Sequence, residues 1–284
     1  VKRMKITWFM KRKIKKDILN WLLYFKEIGL TINPSDSDEL HRLFKITYHY
    51  YSREYGLYSS DLIKLKLKYK ELENNIASSF PNYGHRKEDH WIYFDNKRAS
   101  SKDNFFKFYF SPKINRLNIA IDCLNLFKEI GEGIIQLKFP DPNFLKKHAG
   151  RRERIIIYVT NKDFSHRLSK LIKGFPESYF ENVSMPFVHK LAKGRYWTYE
   201  ATDTDYTRDL IDQFFDREEL GISYGELVCH SLASSLLFVL SHFRVGLDGL
   251  GRTHFGVLKQ KEILKIQAQV SKKAIITIFD NLKT

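Results

Sequence analysis

The spacing of apolar residues changes along this chain, and that change constrains the fold more than any other feature of the sequence. In the first eighty or so positions apolar side chains recur every three or four residues, which is the period of amphipathic helices. After a break at Pro81 to Gly84, a segment appears that places three phenylalanines on one face and Lys107, Tyr109 and Ser111 on the other. This strict alternation is the period of a half-buried strand. The sequence therefore predicts an α+β protein.

The other segments follow one of these two periods. Helices are predicted at residues 4–30, 38–55, 116–130, 163–174, 204–215 and 225–243, within 57–80 and within 257–282. Strands are predicted at residues 106–111, 133–139 and 154–160, and residues 182–200 are expected to be irregular. We expect a helical N-terminal part, residues 1–85, packed on a body of mixed or antiparallel sheet with flanking helices, residues 86–284, as one cooperative unit.

The charge of the chain predicts an anionic partner. The 48 Lys and Arg residues exceed the 33 Asp and Glu residues by 15, which points to a nucleic acid, a membrane or a phosphorylated protein. The longest mostly apolar stretch, Leu232 to Leu240, is far shorter than the roughly 20 residues that span a bilayer. The basic N-terminal segment lacks the apolar core of a signal peptide. With Cys123 and Cys229 expected as buried, reduced thiols, we predict a cytoplasmic protein without a membrane partner.

Three predicted strands carry residues that could bind and transfer charge. Lys107 and Tyr109 share one face of the first strand, and Lys138 ends the second between apolar neighbours, where partial desolvation lets a lysine serve as a general base. Arg151 and Arg152 precede the third strand, and a guanidinium group matches two phosphate oxygens at once. Taken alone, Lys107 and Tyr109 are more typical of a solvated sheet face, and Lys138 of a snorkelling surface lysine.

The order of these residues resembles the HopA-type effector domain, which is also the lyase component of class V lanthipeptide and thioamitide biosynthesis. The resemblance starts from the Lys-x-Tyr-x-Ser strand, the later lysine, and Arg-x-Glu before an aliphatic strand that contains Tyr158. Three further segments are similar to the family's double-tyrosine helix, its Pro-x-x-Thr-Lys-x-x-x-Gly loop and its Ser-Phe-Gly turn: Tyr50-Tyr51 before Gly56, Pro186 to Lys190 with Gly194, and Ser223-Tyr224-Gly225. The order is also similar, more distantly, to the bacterial effector phosphothreonine lyases.

The resemblance implies a role for each residue. Lys138 is implied as the base that removes the α-proton, and Tyr109 stands where those lyases have the histidine that protonates the leaving phosphate. The implied phosphate ligands are Lys107, Arg151 or Arg152, Lys190 and Arg195, and the implied site-lining residues are Tyr158 and Ser111. His90, His148 or His189 could instead be the proton donor, although a surface or structural role is more typical of such histidines. Asp122 and Glu153 could orient the cations by ion pairing or lie on a helix surface.

One segment departs from the family. Glu226, Leu227 and Val228 follow the Ser-Tyr-Gly turn, where the family usually has an arginine, so that Arg195 or Arg217 would have to supply the missing cation.

The function implied by the resemblance is a phosphoserine/phosphothreonine lyase that forms dehydroalanine or dehydrobutyrine by β-elimination. Such a reaction needs a base and cations on the leaving group, and we expect no metal and no organic cofactor. The expected substrate is a ribosomal precursor peptide, with leader and core, in the bacterial cytoplasm. A separate Ser/Thr kinase has to phosphorylate it, because this chain carries no kinase motif.

Three alternatives remain open. The chain could be a type III secreted effector that acts on host phosphoproteins. It could be a non-catalytic basic module that binds a phosphopeptide, a leader peptide or nucleic acid, although nucleic acid is unlikely because most aromatic residues fall at core-like periods. It could also be a degenerate lyase subunit of a kinase complex.

Overall fold

The structure is a computed structural model that describes residues 2–52, 62–97, 106–126, 128, 133–148, 151–160, 162–201, 204–214, 223–243 and 245–282. Its helices are α1 Lys2–Glu27, α2 Glu39–Ser52, α3 Leu62–Ser79, α4 Ile119–Asn125, α5 Leu145–His148, α6 Lys162–Gly174, α7 Asp205–Phe214, α8 Tyr224–His242 and α9 Gln260–Asp280. Its strands are β1 Thr31–Ile32, β2 Tyr83–Glu88, β3 Trp91–Asn96, β4 Phe106–Phe110, β5 Ile134–Pro140, β6 Ile155–Val159, β7 His189–Ala192, β8 Arg195–Tyr199 and β9 Thr253–His254. The predicted α+β class is confirmed.

The chain forms two compact units. The helical unit comprises Val1–Tyr51, Pro186–Val188 and Ala201–Thr284, and the sheet unit comprises Ser52–Met185 and His189–Glu200. The first boundary therefore lies at residue 51 and not at residue 85, and the C-terminal helices group with the N-terminal ones. The short segment Pro186–Val188, which lies between two stretches of the sheet unit in the sequence, also belongs to the helical unit.

The helical unit is built on α1, α8 and α9. Of the apolar residues predicted to line one side of α1, Met10, Ile14, Ile18 and Leu22 are buried, whereas Phe9 and Leu23 are exposed. Helix α1 packs against α9, which in turn packs against α8. Ser223 caps α8 through a capping box with Glu226, which satisfies backbone groups at the helix start. Strands β1 and β9 pair as a small antiparallel ribbon. Among the described helices α8 is the one long and apolar enough to cross a membrane, but most of its side chains are buried in the protein core.

The sheet unit is built on a seven-stranded antiparallel sheet in the order β2-β3-β5-β6-β4-β8-β7. The predicted strands 106–111, 133–139 and 154–160 are confirmed as β4, β5 and β6, which form the centre of this sheet. The prediction that the first of them is half-buried is wrong, because every residue from Phe106 to Phe110 is buried. Both faces of the central strands are therefore covered.

The four outer strands were not predicted. Residues 182–200 were expected to be irregular, yet β7 and β8 form a hairpin there, and β2 starts at Tyr83 inside the expected break. The β2–β3 turn uses Asp89 and His90, both with positive φ, where glycine or asparagine would have signalled a hairpin. The predicted helix at 116–130 is shorter, because α4 follows a 3-10 turn at Ile114–Arg116 and ends at Asn125.

One face of the sheet is the core of its unit. Phe94 and Phe139 project from β3 and β5, and Tyr69 of α3 stacks on Phe139 with 5.6 Å between ring centroids. Because side chains alternate along a strand, the residues between these aromatic ones are directed to the opposite face.

Both cysteines are free and buried, as predicted, with Cys123 on α4 and Cys229 on α8.

Candidate active site

The second face of the sheet carries the predicted lysines. Residues that lie directly opposite each other in antiparallel strands project on the same side. Tyr93 of β3 lies opposite Lys138 of β5, and Tyr158 of β6 lies opposite Lys107 of β4. Lys138 and Tyr109 both lie opposite Ile156, so that all of these side chains share one face. The register thus brings Lys107, Tyr109, Lys138 and Tyr158 together, as the sequence predicted.

The ring of Tyr158 lies between the two lysines. Its centroid is 4.9 Å from Lys107 Nζ and 5.6 Å from Lys138 Nζ. Lys107 Nζ also lies 5.5 Å from the centroid of the Tyr109 ring. These distances are within the range of cation–π interactions. Lys107 is only 5% exposed, so the protein holds a primary amine in a nearly dry setting beside aromatic rings.

Two aromatic residues from β3, neither predicted, complete the surroundings of Lys138. Its Nζ atom lies 5.1 Å from the Trp91 ring and 5.3 Å from the Tyr93 ring. Burial raises the pKa of Tyr93 well above its usual value, and the nearby Tyr158 adds to the effect, so the Tyr93 phenol stays protonated at neutral pH. The Arg86 guanidinium lies 3.9 Å from the Tyr93 ring and is paired with Asp95.

Lys107, Tyr109, Lys138 and Tyr158, together with Trp91 and Tyr93, form one cluster. Of the two arginines predicted as phosphate ligands before β6, Arg151 joins this cluster. Its guanidinium carbon lies 4.9 Å from the Trp91 ring, on which the Lys138 ammonium also lies. Glu153 accepts hydrogen bonds at Oε1 from Arg151 Nε at 2.9 Å and from Nη2 at 2.5 Å. Glu153 is 2% exposed, and a carboxylate so buried needs a charged partner. The predicted orienting role of Glu153 therefore has a geometric basis.

Arg152 and Ser111 have structural contacts instead. The Arg152 guanidinium donates to the carbonyl of Ser184, and its backbone N–H donates to the carbonyl of Ser52 at 3.0 Å. The Ser111 hydroxyl is buried and donates to the carbonyl of Arg152. These bonds fix the segment that precedes β6 against the end of β4, and so hold Arg151 in place.

Arg195 and Lys190 do not join the cluster. Arg195 lies opposite Phe110, on the core face, and its Nη1 donates to the carbonyls of Ile172 at 2.7 Å and Phe175 at 2.8 Å. Burial lowers its pKa, and the prediction that it binds phosphate is wrong because its guanidinium group holds core carbonyls. Lys190 is exposed on the edge strand β7, two strands away from Lys107, which is roughly 10 Å across the sheet.

The histidines considered as proton donors lie in three different settings. His148 packs the edge of its ring on Trp91, with 4.7 Å between centroids, and its Nε2 lies 2.8 Å from the carbonyl of His90. His90 occupies the hairpin turn, and His189 contacts Trp197 on the core face. Of these three, His148 is the one that contacts a member of the cluster. Within the described part of the chain, no three His, Cys, Asp or Glu side chains are grouped to hold a metal ion.

The remaining family-like segments meet in the helical unit. The Tyr224 hydroxyl donates to the carbonyl of Phe187 at 2.6 Å, and the Tyr50 ring lies 6.3 Å from the Phe187 ring. Gly225 packs directly on the Tyr51 ring, where a Cβ atom would come within 2.7 Å of it. The Tyr-Tyr, Pro-Phe-Val and Ser-Tyr-Gly segments thus form one packing core. Gly56 and Arg217, which the prediction also used, lie outside the described residues.

Comparison with known proteins identifies the fold. No protein-family model matches the chain, and no curated protein matches it. An effector protein from Pseudomonas syringae pv. syringae strain 61 matches with a TM-score of 0.52 and 11% identity, over 79% of this chain and 88% of that chain. An effector protein from Pseudomonas syringae pv. tomato strain DC3000 matches with a TM-score of 0.51 and 12% identity, over 85% and 95%. The chain has the fold of these effector proteins.

The predicted resemblance to HopA-type effector domains is therefore confirmed at the level of the fold. The phosphothreonine lyase OspF from Shigella flexneri also matches, with a TM-score of 0.33 and 18% identity, over 61% of this chain and 95% of that chain. A TM-score this low supports no conclusion about the activity of this chain. Its function has to be inferred from the residues of the cluster.

Proposed function

We propose that the face formed by Lys107, Lys138, Tyr158 and Arg151 is the active site of a cofactor-independent phosphoserine/phosphothreonine lyase. The observation that carries the proposal is the Tyr158 ring between two lysine side chains, with the carboxylate-fixed Arg151 on the adjoining Trp91 ring. Lys107 and Arg151 supply two positive charges beside Lys138 and so favour a dianionic group, and phosphate monoesters are dianions near neutral pH.

The reaction proceeds by β-elimination. Lys138, in its neutral form, takes the α-proton of the phosphorylated residue, and the electron pair of that C–H bond forms the Cα=Cβ double bond. The Cβ–O bond breaks, and phosphate leaves with the electrons of that bond and takes up a proton from solvent. The products are free phosphate and a dehydroalanine or dehydrobutyrine residue in the peptide.

Lys107 and Arg151 neutralise the leaving phosphate. Lys107 lies beside the Tyr158 ring and Arg151 beside the Trp91 ring, and Lys138 contacts both rings. Arg151 also presents a planar fork that Glu153 orients. Tyr109 stands where related lyases have a histidine, and its ring contacts Lys107. We propose that its hydroxyl donates a hydrogen bond to the leaving oxygen, and that the two cations contribute most of the stabilisation because a phenol is a weaker acid than an imidazolium.

The proposed substrate is a ribosomal precursor peptide phosphorylated by a separate Ser/Thr kinase, in the bacterial cytoplasm. The HopA-type resemblance supports this substrate, and the net charge of +15 supports a phosphorylated partner. A second candidate has its own support, because two solved structures with this fold are of effector proteins. In that case the substrate is a host phosphoprotein, and the chemistry of the site is the same.

Mass spectrometry of phosphoserine and phosphothreonine peptides, incubated with the protein in EDTA, tests the proposal. We expect a loss of about 98 mass units, which is one phosphoric acid, with wild-type protein but not with Lys138→Ala. Lys87→Ala is the matched control, because Lys87 is on the exposed edge strand β2 and pairs with Glu73. Peptides with and without a leader segment, beside host phosphoproteins, separate the two substrate classes. Phosphopeptide binding without any mass loss would favour a non-catalytic module instead.

A further inference from the structure

We infer that Trp91 is a positioning residue: its indole ring holds the Lys138 ammonium and the Arg151 guanidinium together and so fixes the base relative to the phosphate ligand. The inference rests on the proposed function and adds a residue that the sequence analysis did not consider. Lys138 Nζ lies 5.1 Å from the ring and Arg151 Cζ lies 4.9 Å from it. Two like charges repel each other, so a shared site for both needs a stabilising surface.

An indole ring supplies that surface better than the other aromatic side chains. Tryptophan gives the strongest cation–π interaction, and the effect grows when the cation is desolvated. Trp91 is 7% exposed and Lys138 is half-buried, so the interaction takes place largely away from bulk water. The ring therefore lowers the free energy of holding both cations in one place.

The ring itself is held from two directions. Trp91 is the first residue of β3 and lies opposite Pro140 of β5, the strand that carries Lys138. His148 packs on the ring at 4.7 Å between centroids and is fixed in turn by the carbonyl of His90, 2.8 Å from Nε2. A side chain that is anchored by its strand and by a neighbouring helix transmits its position to whatever lies on it.

Arg151 is fixed on its other side as well. Glu153 accepts two hydrogen bonds from its Nε and Nη2 atoms, while the indole contacts the guanidinium carbon. A planar group held by a carboxylate in its plane and by a ring over it has little rotational freedom. The pair of Glu153 and Trp91 thus sets the orientation of the phosphate-binding fork.

A double-mutant cycle with inorganic phosphate tests the inference. Calorimetry gives the affinity of phosphate for wild type, Trp91→Leu, Arg151→Ala and the double variant. We expect Trp91→Leu to weaken phosphate binding about tenfold, and Trp91→Phe to recover part of the loss because it keeps a ring. In the Arg151→Ala background the same change should have little effect. An equal loss in both backgrounds would overturn the inference, as would unchanged binding in Trp91→Leu.

The matched control is Trp197→Leu, since Trp197 lies on the core face of the same sheet, opposite Phe108. It should leave phosphate affinity unchanged, and circular dichroism and Tm of each variant show that the fold is intact. If elimination occurs, kcat of Trp91→Leu should fall about tenfold or more at saturating phosphopeptide, because Lys138 loses its fixed place. If wild type binds phosphate but eliminates none, the lyase proposal fails while the cycle still decides the role of Trp91. If wild type binds no inorganic phosphate, the inference about Trp91 fails, and the mass-loss assay alone decides the lyase proposal.

Discussion

The ammonium group of Lys107 lies 4.9 Å from the centroid of the Tyr158 ring, directly across the ladder between β4 and β6. The Nζ atom of Lys138 lies 5.6 Å from the centroid of the same ring. The Tyr158 ring is therefore within cation–π distance of both amino groups. In the proposed reaction the two lysines have different tasks, because Lys107 binds phosphate as an ammonium and Lys138 removes a proton in its neutral form.

The Tyr158 ring, more than its hydroxyl, is expected to matter. Tyr158→Phe keeps the ring, so we expect kcat/KM for a phosphopeptide to fall no more than about threefold. Tyr158→Leu removes it and should lower kcat/KM about thirtyfold or more, since two cation–π contacts are lost. Steady-state kinetics by phosphate release measure both. An equally large loss in the Phe and Leu variants would show that the hydroxyl carries the role instead.

The buried carboxylate of Glu153 should affect both the fold and the site. Glu153→Gln removes a negative charge next to Arg151, and breaking a buried ion pair costs about 3 kcal/mol or more of the free energy of unfolding. Urea denaturation measures that loss, and calorimetry with phosphate should show weaker binding at temperatures where the variant is folded. Glu73→Gln is the control, because Glu73 pairs with Lys87 and His85 at the sheet edge. Equal effects of the two substitutions would contradict the prediction.

Arg195 should stabilise the fold and should not bind phosphate. Arg195→Met removes a guanidinium that donates to the carbonyls of Ile172, Phe175 and Lys193, and each buried carbonyl left without a partner costs about 1–3 kcal/mol. We expect a clear fall in Tm and an unchanged affinity for phosphate in the folded protein. Thermal unfolding and calorimetry measure the two quantities. Loss of phosphate affinity with an unchanged Tm would restore Arg195 to the site.

The sequence predicted the central part of the site because its strands alternate clearly. Phe106, Phe108 and Phe110 identify β4 and direct Lys107 and Tyr109 to the other face, and this pattern depends on nothing distant in the chain. Arg195 was misassigned because the surrounding residues were taken as irregular. Once β8 is known to lie beside β4, the register places Arg195 opposite Phe110 and so on the core face.

Trp91 and Tyr93 were missed for a related reason. In the segment Trp91–Asn96 the first four residues are all aromatic or aliphatic, and Asp95 and Asn96 follow on opposite faces. Neither face of the strand therefore stands out as polar. The preceding β2 is almost wholly polar, and its turn has Asp89 and His90 in place of the usual Asn-Gly. Only pairing with β5 shows that Trp91 and Tyr93 face Lys138, and such pairing is a tertiary property.

The packing of Gly225 on Tyr51 should make this glycine necessary. In Gly225→Ala the added Cβ would lie 2.7 Å from the Tyr51 ring, and overpacking of a closed core costs about 1–3 kcal/mol. Alanine is the better helix former by about 1 kcal/mol, so the net effect is a destabilisation that the additional Tyr51→Leu change should relieve. Gly249→Ala is the control, since nothing lies within 4 Å of its Cβ position. Chemical denaturation of wild type, Gly225→Ala, the double variant and Gly249→Ala gives their free energies of unfolding. We expect Gly225→Ala to be less stable than wild type and Gly249→Ala to be about as stable as wild type.

The buried imidazole of His230 predicts how stability depends on pH. Burial lowers the pKa of His230 from its usual 6.5 to about 4, and its Nδ1 lies 3.0 Å from the Tyr206 hydroxyl. Between these two values the unfolded chain binds a proton that the folded chain does not, so the free energy of unfolding falls as the pH drops from about 6.5 to about 4. The full loss is about 3 kcal/mol, with no further loss from this group at lower pH. Urea denaturation across this range measures the slope, and His230→Gln should reduce it, because glutamine does not titrate. An equal slope in both proteins would assign the pH dependence to other groups.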